Sequence, residues 1–210
     1  MAKLRVSKAK SRRGEVFAAD ARLFAVVLAA GTGSRFGSTK QLAAFHDAPL
    51  VSRAVRLAEK VCGPASMLVA GHEWRAVVEA CRPLEGFFVY NAEHRSGMGG
   101  SIACGVRAVM GAADAVLLLL ADQPLITAEH LEHLIAAWKL SPETILATSF
   151  AGTAGPPVIF PRQYFDELSR LQGDRGARSI LSGAGRQVQH VRFEDAAADI
   201  DRLEDLRRLT

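Results

Sequence analysis

Short apolar runs alternate with helical stripes along the first two thirds of this chain, and that alternation constrains the fold more than any other feature. Phe24–Ala30, Met67–Ala70, Phe87–Tyr90 and Ala115–Leu120 are continuous apolar runs of strand length. Parallel strands read this way because both faces of their sheet are covered. Helix-period stripes lie between them. Leu50, Ala54, Leu57, Ala58 and Val61 follow Pro49; Trp74, Val77, Val78 and Cys81 form a second stripe. Ile102, Val106, Val109 and Met110 follow Ser101, a candidate N-cap, and Leu131, Leu134, Ile135 and Trp138 follow Thr127, another. Strand and helix thus alternate four times in about 115 residues, which predicts βαβ units in an α/β fold with a parallel sheet covered by helices on both faces. From residue 143 the regularity loosens. Thr144–Thr148, Val158–Phe160 and Val188–Phe193 read as strands, and Tyr164–Leu171, Arg175–Leu181 and Leu203–Leu209 as short helices.

The net charge of +4 hides an asymmetry. Residues 1–22 hold seven basic residues and two acidic ones, so that arm carries +5 and residues 23–210 sum to −1. The arm reads as a flexible tail, with a transit-like segment or a polyanion-contacting arm as alternatives. Residues 23–210 read as a single domain. Because the positive charge belongs to the arm, an extended nucleic-acid surface is not indicated. No apolar run reaches the roughly 18 residues that span a bilayer. The three cysteines, Cys62, Cys81 and Cys104, are widely spaced and odd in number, which argues against a disulfide framework and fits a reducing cytoplasm.

The first apolar run ends in Gly31-Thr32-Gly33-Ser34-Arg35-Phe36-Gly37-Ser38-Thr39-Lys40. Glycines let a loop approach a ligand closely, and backbone N–H groups beside Arg35 and Lys40 suit a polyphosphate. The spacing misses both the dinucleotide fingerprint and the P-loop. Asp122 follows the most hydrophobic run. It either begins a loop and accepts backbone N–H bonds, or ligates Mg²⁺ shared with a nucleotide. Gly97-Met98-Gly99-Gly100-Ser101 is either a connection capped by Ser101 or a surface against which a base or ribose packs. These three segments fall where an open α/β sheet binds ligands, beyond the carboxyl ends of its strands. His130 and His133 share a helix face, which reads as solvated rather than as a zinc pair.

Leu28-Ala29-Ala30-Gly31, Ser34-Arg35, Gly37 and Lys40 resemble the signature of the MobA-like nucleotidyltransferases. Asn91 through Ser101, Asp122-Gln123-Pro124, Gly173–Arg178 and Asp199-Ile200-Asp201 resemble the molybdenum cofactor cytidylyltransferase branch. The resemblance runs from about residue 23 to the end. It implies a Rossmann-like, three-layer α/β nucleotidyltransferase fold with a mostly parallel mixed sheet and helices on both faces, and transfer of CMP from CTP to molybdopterin, with Mg²⁺, giving molybdopterin cytosine dinucleotide and pyrophosphate. It implies Arg35, Lys40 and Asp122 as catalytic, and Leu28, Ala29, Ala30, Gly31, Thr32, Gly33, Gly97 and Ser101 as nucleotide-binding with them. Gly173, Asp174, Arg175 and Arg178 would meet the pterin substrate, and Asp122, Asp199 and Asp201 the metal. Ala30, where guanylyl transfer goes with Gly, favours CTP. The alternatives are a guanylyltransferase, a nucleotidyltransferase with another phosphorylated acceptor, or a cofactor-binding protein that delivers to a molybdenum hydroxylase or its chaperone. Two positions depart from the pattern: Pro156, where His is expected, and Arg202-Leu203, where Thr-Pro usually follows the Asp.

Overall fold

The computed structural model describes residues 21–34, 36–174 and 176–209. The basic arm, Arg35 and Arg175 lie outside the described residues, apart from Ala21 and Arg22 at the arm's end.

Seven strands form one sheet: β1 (Leu23–Ala29), β4 (Ser66–Ala70), β5 (Phe87–Tyr90), β6 (Ala115–Leu120), β7 (Ile145–Phe150), β8 (Thr153–Pro161) and β9 (Val188–Arg192). A hairpin of β2 (Ala44–Phe45) and β3 (Ala48–Pro49), not foreseen in the sequence, forms a separate small sheet. The order in the large sheet is β5-β4-β1-β6-β8-β7-β9. β5, β4, β1 and β6 are mutually parallel, β8 runs against both its neighbours, and β9 is parallel to β7. The sheet is therefore mixed because the chain turns back after β7, and the reversed strand reaches well beyond the Val158–Phe160 run.

The helices are α1 (Leu50–Cys62), α2 (Trp74–Ala80), α3 (Met98–Val109), α4 (Ala128–Leu140), α5 (Phe165–Leu168), α6 (Arg178–Ala184) and α7 (Leu203–Leu209). Side chains on a strand alternate between faces, so β1 feeds two cores. Ala25, Val27 and Ala29 pack with Val51 and Val55 of α1, Val77 and Val78 of α2, and Leu131 and Trp138 of α4. Val26, Leu28 and Ala30 pack with Ile102 and Val106 of α3, Phe165 of α5 and Ile180 of α6. This is the expected three-layer arrangement. Among the described residues no helix is long and apolar enough to cross a membrane, and the cysteines are free.

Two local expectations fail. α3 begins at Met98, so Ser101 lies inside its first turns rather than capping it. A glycine-rich start gives no propensity signal; the turn is held instead by Gly99 N–H donating to the Gly173 carbonyl at 2.9 Å. His130 and His133 do not share a solvated face. His133 is exposed, but His130 is 3% exposed and stacks on Phe193 at 4.4 Å. Thr127 does cap α4, its hydroxyl accepting from His130 N–H at 3.2 Å.

The His130 proton follows from its neighbours. The Thr148 hydroxyl donates to the Pro157 carbonyl at 2.8 Å. Its oxygen therefore accepts from His130 Nε2–H, also at 2.8 Å, and the ring is held as the neutral Nε2 tautomer. Burial, aided by the nearby His133, pushes the imidazole down from 6.5 to about 4. Between those values the unfolded chain binds a proton that the folded chain refuses, so stability falls as pH drops through that window. Denaturant midpoints should decline between pH 7 and pH 4 with a His130 contribution of about 2–3 kcal/mol. In His130→Gln that component should vanish, and an unchanged slope would refute it.

Candidate active site

From β1 the chain leads to β4 and then β5 on one side; from β6 it leads to β8 and β7 on the other. The loops after β1 and β6 thus part at their carboxyl ends, where a doubly wound sheet leaves a crevice. A cavity of about 500 Å³ opens there. Its lining includes Leu28, Ala30, Gly31, Thr32 and Gly33 from the first loop, Gly97 and Ser101 from the start of α3, and Lys40, Asp122, Asp174 and Asp201.

The first loop is built to expose its main chain. Gly33 has φ +62°, and a Cβ there would run into the Ser38 carbonyl oxygen. Phe36 and Gly37 N–H close back on the Gly33 carbonyl at 2.8 and 3.2 Å. Among the described residues, the N–H groups of Gly31, Thr32, Gly33 and Ser34 meet no protein acceptor. Consecutive unmet amides in a turn form an anion-binding concavity. Gln41 braces the loop, donating to the Gly31 carbonyl at 2.9 Å.

Lys40 is 9% exposed. Its ammonium donates to Asp122 Oδ2 at 2.7 Å and Asp201 Oδ1 at 3.1 Å. Burial alone would lower its pKa; the two carboxylates outweigh that and hold it above 10.5. Asp122 sits just past β6, and Ile200 N–H donates to its carbonyl at 3.0 Å, which draws the C-terminal segment onto the site. Where Thr-Pro was the usual sequence, Asp205 accepts from the N–H groups of Asp201 and Arg202 at 3.1 and 2.8 Å, fixing the turn before α7. Asp199 does not line the cavity. Its carboxyl is nonetheless pushed up to about 6, by burial first and then by Asp122, against the pull of Lys40, with Asp201 adding to the rise.

The donor set fits a divalent cation completed by phosphate oxygens. Asp122 Oδ1 is buried with no hydrogen-bond partner, and Asp122 and Asp201 together raise the proton affinity of Asp199 beside them. Among the described residues, no group of three or more His, Cys, Asp or Glu is arranged to hold a metal unaided. One or two carboxylates plus substrate phosphates is the coordination Mg²⁺ takes in nucleotide enzymes.

The remaining sequence candidates are divided. Gly97 (φ +103°) lies against Gly173, and Asp174 reaches the cavity, so the two segments meet as one wall. Ala29 packs into the opposite layer, so only its backbone can serve the site. Gly173 contributes through its carbonyl, and Arg178 donates to Thr153 Oγ1 at 2.7 Å away from the cavity. Met98 lines the cavity as part of the glycine segment read as a surface for base or ribose, and Gln41, His94 and Arg95 line it without having been singled out individually. His94 and Arg95 fall inside the Asn91–Ser101 stretch of the resemblance, and Gln41 had only its neighbour Lys40 as a signal.

The fold is the α/β nucleotidyltransferase fold. Residues 25–191 match the MobA-like NTP transferase domain, and the chain belongs to that family. It is 39% identical over 115 residues to the purine catabolism protein PucB of Bacillus subtilis (strain 168), covering 52% of this chain and 54% of PucB. It thus spans about half the length of that curated relative. Two structures of Rv0371c from Mycobacterium tuberculosis H37Rv, one a complex with manganese, resemble it at TM-scores of 0.74 and 0.73 and 28% and 26% identity. Each likeness covers 90% of this chain and 97% of the other. Molybdopterin-guanine dinucleotide biosynthesis protein A from Archaeoglobus fulgidus shares the fold at TM-score 0.63 and 21% identity, over 88% of this chain and 95% of that one.

The Gly97–Gly173 contact has a direct test. A Cβ at position 97 would meet the Gly173 carbonyl and hold an unfavourable φ. Gly97→Ala should lose about 1–3 kcal/mol of stability and weaken nucleotide binding, read by thermal melting and calorimetry. Wild-type values would mean the wall tolerates separation.

Proposed function

We propose that this chain transfers CMP from CTP to the terminal phosphate of molybdopterin, with Mg²⁺, releasing molybdopterin cytosine dinucleotide and pyrophosphate. The single observation that carries the reading is the buried Lys40–Asp122 pair set beside a run of unmet loop amides. Family membership and the ordered motifs of the cytidylyltransferase branch support it, with Ala30 in the position that favours CTP. Residues 23–210 act as one domain in a reducing cytoplasm, and the product passes to a molybdenum hydroxylase or its chaperone.

An acceptor phosphate oxygen forms a bond to the α-phosphorus as the bond to the oxygen bridging the β-phosphorus breaks. That oxygen leaves with its electron pair as part of pyrophosphate. No covalent nucleophile on the protein is required, so positioning and charge neutralisation supply the acceleration. The amides of Gly31 to Ser34, with Arg35, hold the β- and γ-phosphates. Lys40 transfers its hydrogen bonds from carboxylates to α-phosphate oxygens, where negative charge develops. Asp122 with Asp201 or Asp199 would hold Mg²⁺, which would neutralise the triphosphate. Gly97 and Ser101 face the base. Gly173, Asp174 and Arg175 meet the pterin, Arg175 suiting its phosphate; Arg178 would join them only on leaving Thr153.

Purified protein given Mg²⁺, molybdopterin and one nucleotide at a time should release pyrophosphate with CTP; release with GTP alone would overturn the base assignment. Asp122→Ala should lower kcat by about 10²-fold or more, on the order of 3 kcal/mol. Near-normal turnover in that variant would remove Asp122 from the reaction.

A further inference from the structure

We infer that Asn91 sets the hydrogen-bond polarity of Ser101, making its hydroxyl a fixed donor aimed at an acceptor edge of the bound nucleobase. The inference rests on the nucleotide reading above and adds a positioning residue to it.

Asn91 follows β5 directly and is 5% exposed, anchored by its N–H to the Ala70 carbonyl at 2.8 Å. Its side chain faces two partners of unequal character. Glu93 N–H meets Asn91 Oδ1 at 3.1 Å, and a backbone N–H can only donate. That contact fixes the amide orientation: oxygen toward Glu93, nitrogen toward Ser101. Asn91 Nδ2 then donates to Ser101 Oγ at 3.1 Å. Ser101 must accept there, so its own hydrogen points elsewhere. Among the described residues no acceptor meets that hydrogen. Ser101 is 6% exposed and lines the cavity.

A buried hydroxyl with its lone pair engaged and its hydrogen unmet calls for an acceptor on the ligand. The O2 and N3 edge of cytosine offers two adjacent acceptors, whereas uracil carries a hydrogen on N3. Phosphate oxygens are also acceptors, and tripolyphosphate, which carries no base, separates the two.

Asn91→Asp tests this with little change of shape. The carboxylate still accepts from Glu93 N–H, so the turn is kept, but it now accepts from Ser101 as well and turns the hydroxyl hydrogen away from the cavity. CTP affinity, measured by calorimetry with Mg²⁺, should fall by about tenfold or more. Affinity for inorganic tripolyphosphate, which has no base, should stay within about twofold. Ser101→Ala should show the same split, and the double variant should lose no more than Ser101→Ala alone. Wild-type CTP binding in Asn91→Asp, equal weakening of CTP and tripolyphosphate, or additive losses would each overturn the inference. Should the enzyme use GTP instead, the same arms run with GTP: the base assignment fails while the Asn91–Ser101 relation is still decided.

Discussion

Lys40 is the point on which the site depends. A buried ammonium is costly unless paired, and here its two partners come from 82 and 161 residues further along the chain. Through them Lys40 joins the loop after β1, the end of β6 and the segment before α7. None of the three could take its position independently. Removing Asp122, the less exposed of its two partners, leaves the buried ammonium short of compensating charge and destabilises the cluster. The pairing also keeps the carboxylates from repelling one another when no other cation neutralises them.

That arrangement explains how one crevice can present both unmet amides and paired carboxylates. The unmet amides, Asp122 and Asp201 line the same cavity, and Lys40 bridges the two carboxylates within it. The sheet supplies the rigidity. β1 is paired on both sides, Val27 sitting between Leu68 and Leu119, and both faces of that strand are buried. Loops leaving such a strand start from a fixed position, and the cavity inherits its shape from the sheet.

Most of the fold was legible because burial on both faces writes itself as uninterrupted apolar runs. The first four strands and the helices between them carry that signature. Legibility failed where tertiary contacts replaced local signals. α3 starts at Met98 against a glycine-rich background because Gly173, about 75 residues later, takes up its N–H bond. His130 sits four residues before Leu134 and eight before Trp138, on the inner stripe, yet its polarity suggested solvent; Thr148, which satisfies it, lies on another strand. In the site, Lys40 and Asp122 stood out for their settings, the end of a glycine loop and the end of a leucine run. Asp201 and Asp199 could be suspected only through resemblance, since nothing local distinguishes a solvated acid from one drawn under a lysine.

The contact from Ile200 N–H to the Asp122 carbonyl has a consequence for how the molecule comes together. Ile200 is fully buried among Phe45 and Leu50, so a segment that follows every strand of the sheet is also a wedge in the structure. A nascent chain ending before it would already possess every strand of the sheet, with Lys40 lacking Asp201. Assembly of the charge cluster therefore waits on residues beyond the last strand, and Lys40 gains its second carboxylate only once that segment has docked on the scaffold.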